Sequence, residues 1–495
     1  MPSILTSTEL EVLACRAVTV PSSKSSAAQA DVTAAGTGDA TGSWSELFAP
    51  RHAAAVSILA GGVALYAMNL YFTAALMPSI VDDIGGERYY AWVATGFLMA
   101  AVIASMLVSR FLGAWGAATA YLTGFLVFAA GAGINAVSPT MEVLIVGRVI
   151  QGFGGGLLAG LGYAVIRTAL PQRLWGRAAG LVSAMWGVGT LIGPALGGVF
   201  AELGAWRWAY GLLLGIALVL AALTRRALPR GGTTAERTPV PVLGLVSLTL
   251  AAAAFSVSSA VAPGISTAIA LAAGIVLLAA FLTIEVRATV SVLPKFTYTR
   301  GNSLKWVYLT VAALCAGVMV ENFVPLFGQR LGGLSPVVAG LLGAALSVGW
   351  VVAQVFSVNL GPGHARRAIR TSPLLLTAGL AAYGLLQTGR APGIVVMLWA
   401  AVLFLAGMGI GLAFPHLSVA AMSSTADPAE GAKAAAALNT TQLIAYAVSS
   451  ALAGTLMRLG DTSPVSSARF MILGVAVLTA AGMATALLAT RRAGR

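Results

Sequence analysis

A carboxylate and a guanidinium stand where neither is cheap. Glu321, in the run GVMVENFVPLF, and Arg148, in LIVGRVIQGFGGG, are each flanked on both sides by apolar residues. An ionisable side chain in such surroundings is costly, and it marks an ion or substrate pathway by default. Glu321 can hold a proton while its surroundings are dry and release it when they are wet. That is the chemistry needed to couple a proton gradient to a change of shape. The alternative is a structural acid near a mouth of the protein, ionised and in contact with water. Arg148 can supply a fixed positive charge that modulates Glu321 across a cavity, or it can pair with backbone carbonyls or snorkel. Asn69, Thr73, Gln151, Asn322 and Gln442, with the aromatic Tyr66, Trp186 and Phe323, are candidates to line a cavity for a small amphipathic molecule. Each of them serves interhelical packing or hydrogen bonding equally well.

The elements that must position these groups are apolar helices. The chain is 58% hydrophobic and 9% charged with a mean hydropathy of +0.89, which excludes a soluble protein and predicts a polytopic, all-α membrane protein. Apolar spans are expected at 53–77, 91–109, 117–136, 141–167, 178–201, 207–223, 240–260, 265–284, 303–327, 333–358, 372–389, 393–417, 432–457 and 467–490. The formal charge of +13 does not imply a nucleic-acid partner, because the bases recur at the ends of spans and not on one polar domain. Arg167, Arg173 and Arg177, Arg225 to Arg237, Arg287 to Arg300, Arg366 to Arg370 and the tail Arg491 to Arg495 fall on one side when both termini are cytoplasmic. Residues 1–50 are rich in Ser, Ala, Gly and Thr, lack a charged start followed by an apolar run, and read as a disordered cytoplasmic tail and not a secretory signal.

Two weak internal matches add a repeat. Pro78 through Gly86 resembles Pro325 through Gly333, and Ser109 through Gly113 resembles Ser357 through Gly361, at nearly the same spacing. That spacing exceeds a six-helix half by room for two further spans of about 20 residues each. The expected domains are a tail at 1–50, a six-helix bundle at 51–226, a linker with two extra helices at 227–302, a second six-helix bundle at 303–490 and a short tail at 491–495. Spans seven and eight, read as free of charge, are assigned a peripheral packing role.

Gly187 to Phe200, GVGTLIGPALGGVF, sets Gly189, Gly193 and Gly197 on one helical face, with Pro194 and Gly198 beside them. Small residues at that spacing let a neighbouring helix approach to backbone distance in a bilayer. The pattern G-x-x-x-G-P-x-x-G-G resembles the fifth-helix signature of drug/proton antiporters of the major facilitator superfamily, of the type with fourteen transmembrane helices. In that family it holds the two halves together. Arg148, Gln151 and Gly152 are similar to the family's fourth-helix motif, in which the arginine is associated with proton coupling. Two positions depart from the family. Asn69 stands nine residues before Pro78, where related exporters carry an acid. Ser109 to Ala118 keeps only Gly116 and a displaced Arg110 of the charged loop G-x-x-x-D-R-x-G-R-R.

The resemblance implies a major facilitator fold, two six-helix bundles plus two extra helices. It also implies proton-coupled multidrug efflux by antiport in a bacterial inner membrane. The expected partners are a small-molecule substrate, protons and the lipid bilayer, with a monomeric protein, no cofactor and no metal. Importer or proton-independent facilitator of the same fold is the alternative, which Asn69 and the reduced loop favour. An integral-membrane enzyme is a remote one, since no HExxH, GxSxG or acid–histidine constellation stands at membrane depth. ATP-driven pumping lacks its Walker loop, because no Lys-Ser/Thr follows Gly152 to Gly156. Asp82, Asp83 and Glu87 suggest a divalent-metal cluster only superficially; an acidic loop capping a helix is the reading adopted.

Overall fold

The computed structural model describes residues 43–228, 239–261, 264–299, 301–357, 360–425 and 428–491. Arg230, Arg237, Arg300, Arg492 and Arg495, which belong to the basic connections read from the sequence, lie outside the described residues. Among the described residues eleven helices are long and apolar enough to cross a membrane. The longest of them, Tyr90–Ala136, is two crossings joined at Gly116, whose φ of 75° makes the turn that only glycine adopts freely. Pro362–Leu385 and Pro428–Leu459 have the length but open on polar turns.

Fourteen crossings result among the described residues. They are α1 (Pro50–Ile84), α2 (90–115), α3 (117–136), α4 (Met141–Ala164), α5 (Trp175–Glu202), α6 (Trp206–Ala227), α7 (Val242–Ala260), α8 (Ile265–Arg287), α9 (304–332), α10 (Pro336–Ser357), α11 (Pro362–Leu385), α12 (Gly393–Met422), α13 (Pro428–Leu459) and α14 (Pro464–Ala489). An even number of crossings returns the chain to the face it started from, here called proximal; the opposite face is distal.

Glycine sets the helix spacing in both halves. A Cβ on Gly152 or Gly156 of α4 would lie 2.2 Å from the Phe97 carbonyl oxygen or 2.4 Å from that of Ala101, both on α2. One on Gly154 would lie 2.3 Å from the Phe128 amide nitrogen on α3. The second half repeats the device. Gly407 and Gly411 of α12 press on Leu346 and Trp350 of α10, and Gly409 presses on Ser372 and Leu376 of α11. Each of these helices therefore packs against two neighbours through alternate glycines of a G-x-G-x-G run.

Three expectations change. The tail does not extend to residue 50: Trp44–Leu47 forms a helical turn capped by Ser43, and α1 begins at Pro50. Glu46 on that turn accepts from Arg173 at 2.6 Å and Arg51 at 3.0 Å. The Arg173 guanidinium, first among several cations, holds this half-buried carboxyl below its ordinary value. Secondly, α11 starts at Pro362 and not at 372, so Arg366, Arg367 and Arg370 ride its first turns and Arg370 donates to Thr490 at 2.8 Å. Thirdly, α8 runs on to Arg287 and carries Glu285, a buried carboxylate that the shorter span had left out. Its Oε1 accepts from the Leu293 amide at 2.7 Å, which ties the loop after α8 to the helix end.

Candidate functional site

Arg148 is buried inside the first bundle, 1% exposed. Its Nη1 donates to Gln151 Oε1 at 2.9 Å, its Nε donates to the Val93 carbonyl at 3.4 Å, and its guanidinium lies 4.1 Å from the centre of the Phe97 ring. Asn135 of α3 donates to the same Gln151 oxygen at 3.0 Å. The charge is thus spread over a carbonyl, an amide and a ring face, with no carboxylate as partner among the described residues. Tyr66 and Tyr210 lie within its electrostatic reach. Tyr210 donates to Thr73 at 3.3 Å, and Thr73 donates to Asn69 Oδ1 at 3.5 Å, so the network runs from α4 through α6 to α1.

Glu321 lies in the second bundle, 2% exposed, at a break in α9. The helix runs Leu304–Val318, tightens to a 3-10 turn at Met319–Asn322, and resumes at Val324–Gly332. Pro325 accounts for the break, because a proline ring clashes with the carbonyl four residues earlier, which is that of Glu321 itself. Ser347 of α10 donates to Glu321 Oε2 at 2.8 Å, while Oε1 has no hydrogen-bond partner. The turn packs against α1, α10 and α13, and Tyr71 and Tyr446 come near enough to feel the Glu321 charge.

The residues singled out in the sequence therefore fall into separate groups. Arg148 and Gln151 belong together, and Asn69 and Thr73 join them through Tyr210. Tyr66 links this group to α5, stacking on Phe97 at 5.5 Å and meeting Trp186 edge-on at 5.5 Å. Glu321 stands apart: its named partner is on α10, whereas those of Arg148 are on α2 and α4. Gln442 donates to the Tyr446 hydroxyl at 2.8 Å and so borders the Glu321 group. Asn322 contacts Met319 Sδ at 3.7 Å, and Phe323 stacks on Tyr90 of α2 at 5.4 Å. Sequence reading missed Ser347, Tyr71, Tyr446 and Asn135. A serine or tyrosine in an apolar helix carries no mark until its partner from another helix is known. Among the described residues no three His, Cys, Asp or Glu side chains gather as metal ligands.

The glycine stripe meets a nearer partner than the resemblance implied. Gly189, Gly193 and Gly197 face Ala67, Met68 and Phe72 of α1, within the same half. The cross-half contact belongs to their neighbours: a Cβ on Gly198 would lie 2.6 Å from Val337 Cα, and one on Gly340 lies 2.6 Å from the Pro194 carbonyl oxygen. More contacts join the halves at the distal end. Arg330 of α9 pairs with Glu87, and Ser450 of α13 donates to the Ala91 carbonyl at 3.4 Å. Within the first half, at the same end, Asp83 is engaged by Arg207 at 2.5 Å and Trp206 at 3.1 Å. The inserted α7 also touches both halves there, accepting from Trp92 at the Ser256 carbonyl (2.8 Å) and from Thr455 at the Phe255 carbonyl (3.1 Å).

Comparison with known proteins gives consistent results. The profile of the Major Facilitator Superfamily matches residues 59–450. A probable multidrug-efflux transporter of Mycobacterium tuberculosis is 45% identical over 469 residues, 92% of this chain and 98% of the relative. A multidrug efflux pump of Staphylococcus aureus is 26% identical over 356 residues, 70% of this chain and 77% of that one. Among solved structures, a POT family transporter in complex with a thioalcohol-conjugated peptide aligns with a TM-score of 0.65 at 14% identity, over 88% of this chain and 97% of the other. A D-xylose–proton symporter aligns with a TM-score of 0.62 at 15% identity, again over 88% and 97%.

Proposed function

Because the chain belongs to the major facilitator superfamily, and is therefore a multi-pass membrane transporter of small molecules, we propose that it exports amphipathic drugs or secreted metabolites in exchange for protons. The observation that carries this reading is Glu321, a buried carboxylate of the second bundle set at a helix break and packed against α1 of the first. Rocking of one bundle against the other alters the surroundings of such a group, so its proton is exchanged on alternate sides as the cavity alternates. The relatives named for multidrug efflux support export of drugs.

The working bundles are 51–226 and 303–490, with 227–302 as the inserted pair. The chain acts as a monomer in a bacterial inner membrane, termini in the cytoplasm, which the basic residues of the proximal connections support. A proton-independent facilitator or an importer of the same fold is the second reading. Asn69 favours it by replacing an acid, as does the loop around Gly116, where the Asp and later arginines of the family pattern are missing.

Purified protein in liposomes with an acidic interior is to be offered a panel of fluorescent lipophilic cations and uncharged amphiphiles. Coupled antiport accumulates at least one probe inside these vesicles, and a protonophore abolishes the accumulation. Equilibration to the same level with and without the pH gradient would instead establish the facilitator.

A further inference from the structure

Glu321 has two oxygens in unlike settings. Oε2 accepts from Ser347 of α10, and Oε1 is bare although the side chain is 2% exposed. Four elements surround it. α1 contributes Tyr71, α10 contributes Ser347, α13 contributes Tyr446 with Gln442 bonded to its hydroxyl, and α9 itself contributes the adjoining Asn322. Among the described residues none of these groups is a cation. Tyr71 is the member that belongs to the opposite bundle, and it sits where α1 is pinned to α5, since a Cβ on Gly193 would lie 3.1 Å from Tyr71 Cβ.

Taking Glu321 as the coupling carboxylate, we propose that Ser347 is a positioning residue for its proton and that Tyr71 completes the site from the other bundle while the distal ends are closed. The hydrogen-bond inventory explains the arrangement. A neutral carboxyl offers its carbonyl oxygen to the Ser347 hydroxyl and keeps one O–H to donate, which the phenol oxygen of Tyr71 or Tyr446 accepts once a small approach closes the gap that leaves Oε1 bare here. On losing that proton to water the carboxylate needs donors. Ser347 remains one, and the tyrosine hydroxyls reverse their role to become others. When the bundles rock, α1 carries Tyr71 away from α9 and α10, whereas Ser347 stays with Glu321 because both belong to the second bundle. The serine fixes where the proton sits, and the tyrosine makes its affinity depend on which side is open.

The test is infrared spectroscopy of the protonated carboxyl band in reconstituted full-length protein, titrated with pH in the absence of substrate. The band that vanishes in Glu321→Gln belongs to this group. Ser347→Ala is expected to shift the band and to move its pH midpoint by about three- to tenfold in proton activity, the difference between a hydrogen bond to the charged carboxylate and one to the neutral carboxyl. Ser347→Thr, which keeps the hydroxyl, restores both, and Tyr71→Phe moves the midpoint less. Should Ser347→Ala fail to fold, Ser347→Cys, similar in volume with a weaker donor, is expected to give an intermediate shift. An unchanged band in folded Ser347→Ala or Ser347→Cys, or the absence of any band removed by Glu321→Gln, overturns the proposal. Failure of the coupling reading looks different. Uphill transport that survives Glu321→Gln, with the band still displaced by Ser347→Ala, keeps the positioning role and removes the coupling role.

Discussion

At the scale of single residues, the two charges that stand out in the sequence are held by different strategies. Arg148 is surrounded by neutral acceptors, and Gln151 is central among them because one oxygen receives both the guanidinium and Asn135. Removing that oxygen leaves a buried cation short of an acceptor, which costs about 1–3 kcal/mol. Gln151→Ala is therefore expected to lower the thermal unfolding temperature in detergent clearly, and Gln151→Glu to recover it by pairing the charge. Equal stability of Gln151→Ala and the parent would mean that the Val93 carbonyl and Phe97 ring suffice. Depth in an apolar run made Glu321 and Arg148 legible in the sequence. Their partners were not, since Ser347 lies 26 residues from Glu321 and Asn135 lies 16 from Gln151, with nothing to pair them before the helices pack.

At the scale of helices, small residues act by what faces them. A methyl on Gly193 would stand 2.8 Å from the Met68 carbonyl oxygen, and one on Gly197 2.6 Å from that of Phe72. Neither neighbour is a flexible side-chain end, so α1 and α5 must part. Gly187 on the same helix has nothing closer than a Val351 methyl at 3.8 Å. Gly193→Leu and Gly197→Leu are thus expected to cost about 1–3 kcal/mol or more and to abolish transport or cause leak, with protein still in the membrane. Gly187→Ala should behave as the parent, and a transport assay with a leak control checks all three. Spacing alone revealed the stripe. It did not reveal the partner, because periodicity marks a face and not what lies opposite it. Glu285 escaped for a related reason: a helix end is set by local bonds such as that to Leu293, which hydropathy does not record.

At the scale of the molecule, the fold was legible because apolar spans, basic connections and a repeat spacing all pointed to the same architecture. The halves are closed at the distal end by Glu87 and Arg330, by Ser450 on Ala91, and by Pro194 and Gly198 on α10, with α7 laid across the seam. Opening that end must separate α2 from α13 and α5 from α10, and it moves α1 relative to the α9 break that carries Glu321. On the reading proposed here, proton exchange and alternation are one event. The most direct measurement of this claim is substrate movement by Glu321→Gln in proteoliposomes, with and without an imposed pH gradient. The neutral glutamine mimics the protonated side chain and cannot release a proton. The account predicts that exchange of labelled for unlabelled substrate persists while accumulation driven by the pH gradient is lost. Accumulation against a gradient by Glu321→Gln, with its pH dependence unchanged, would contradict it.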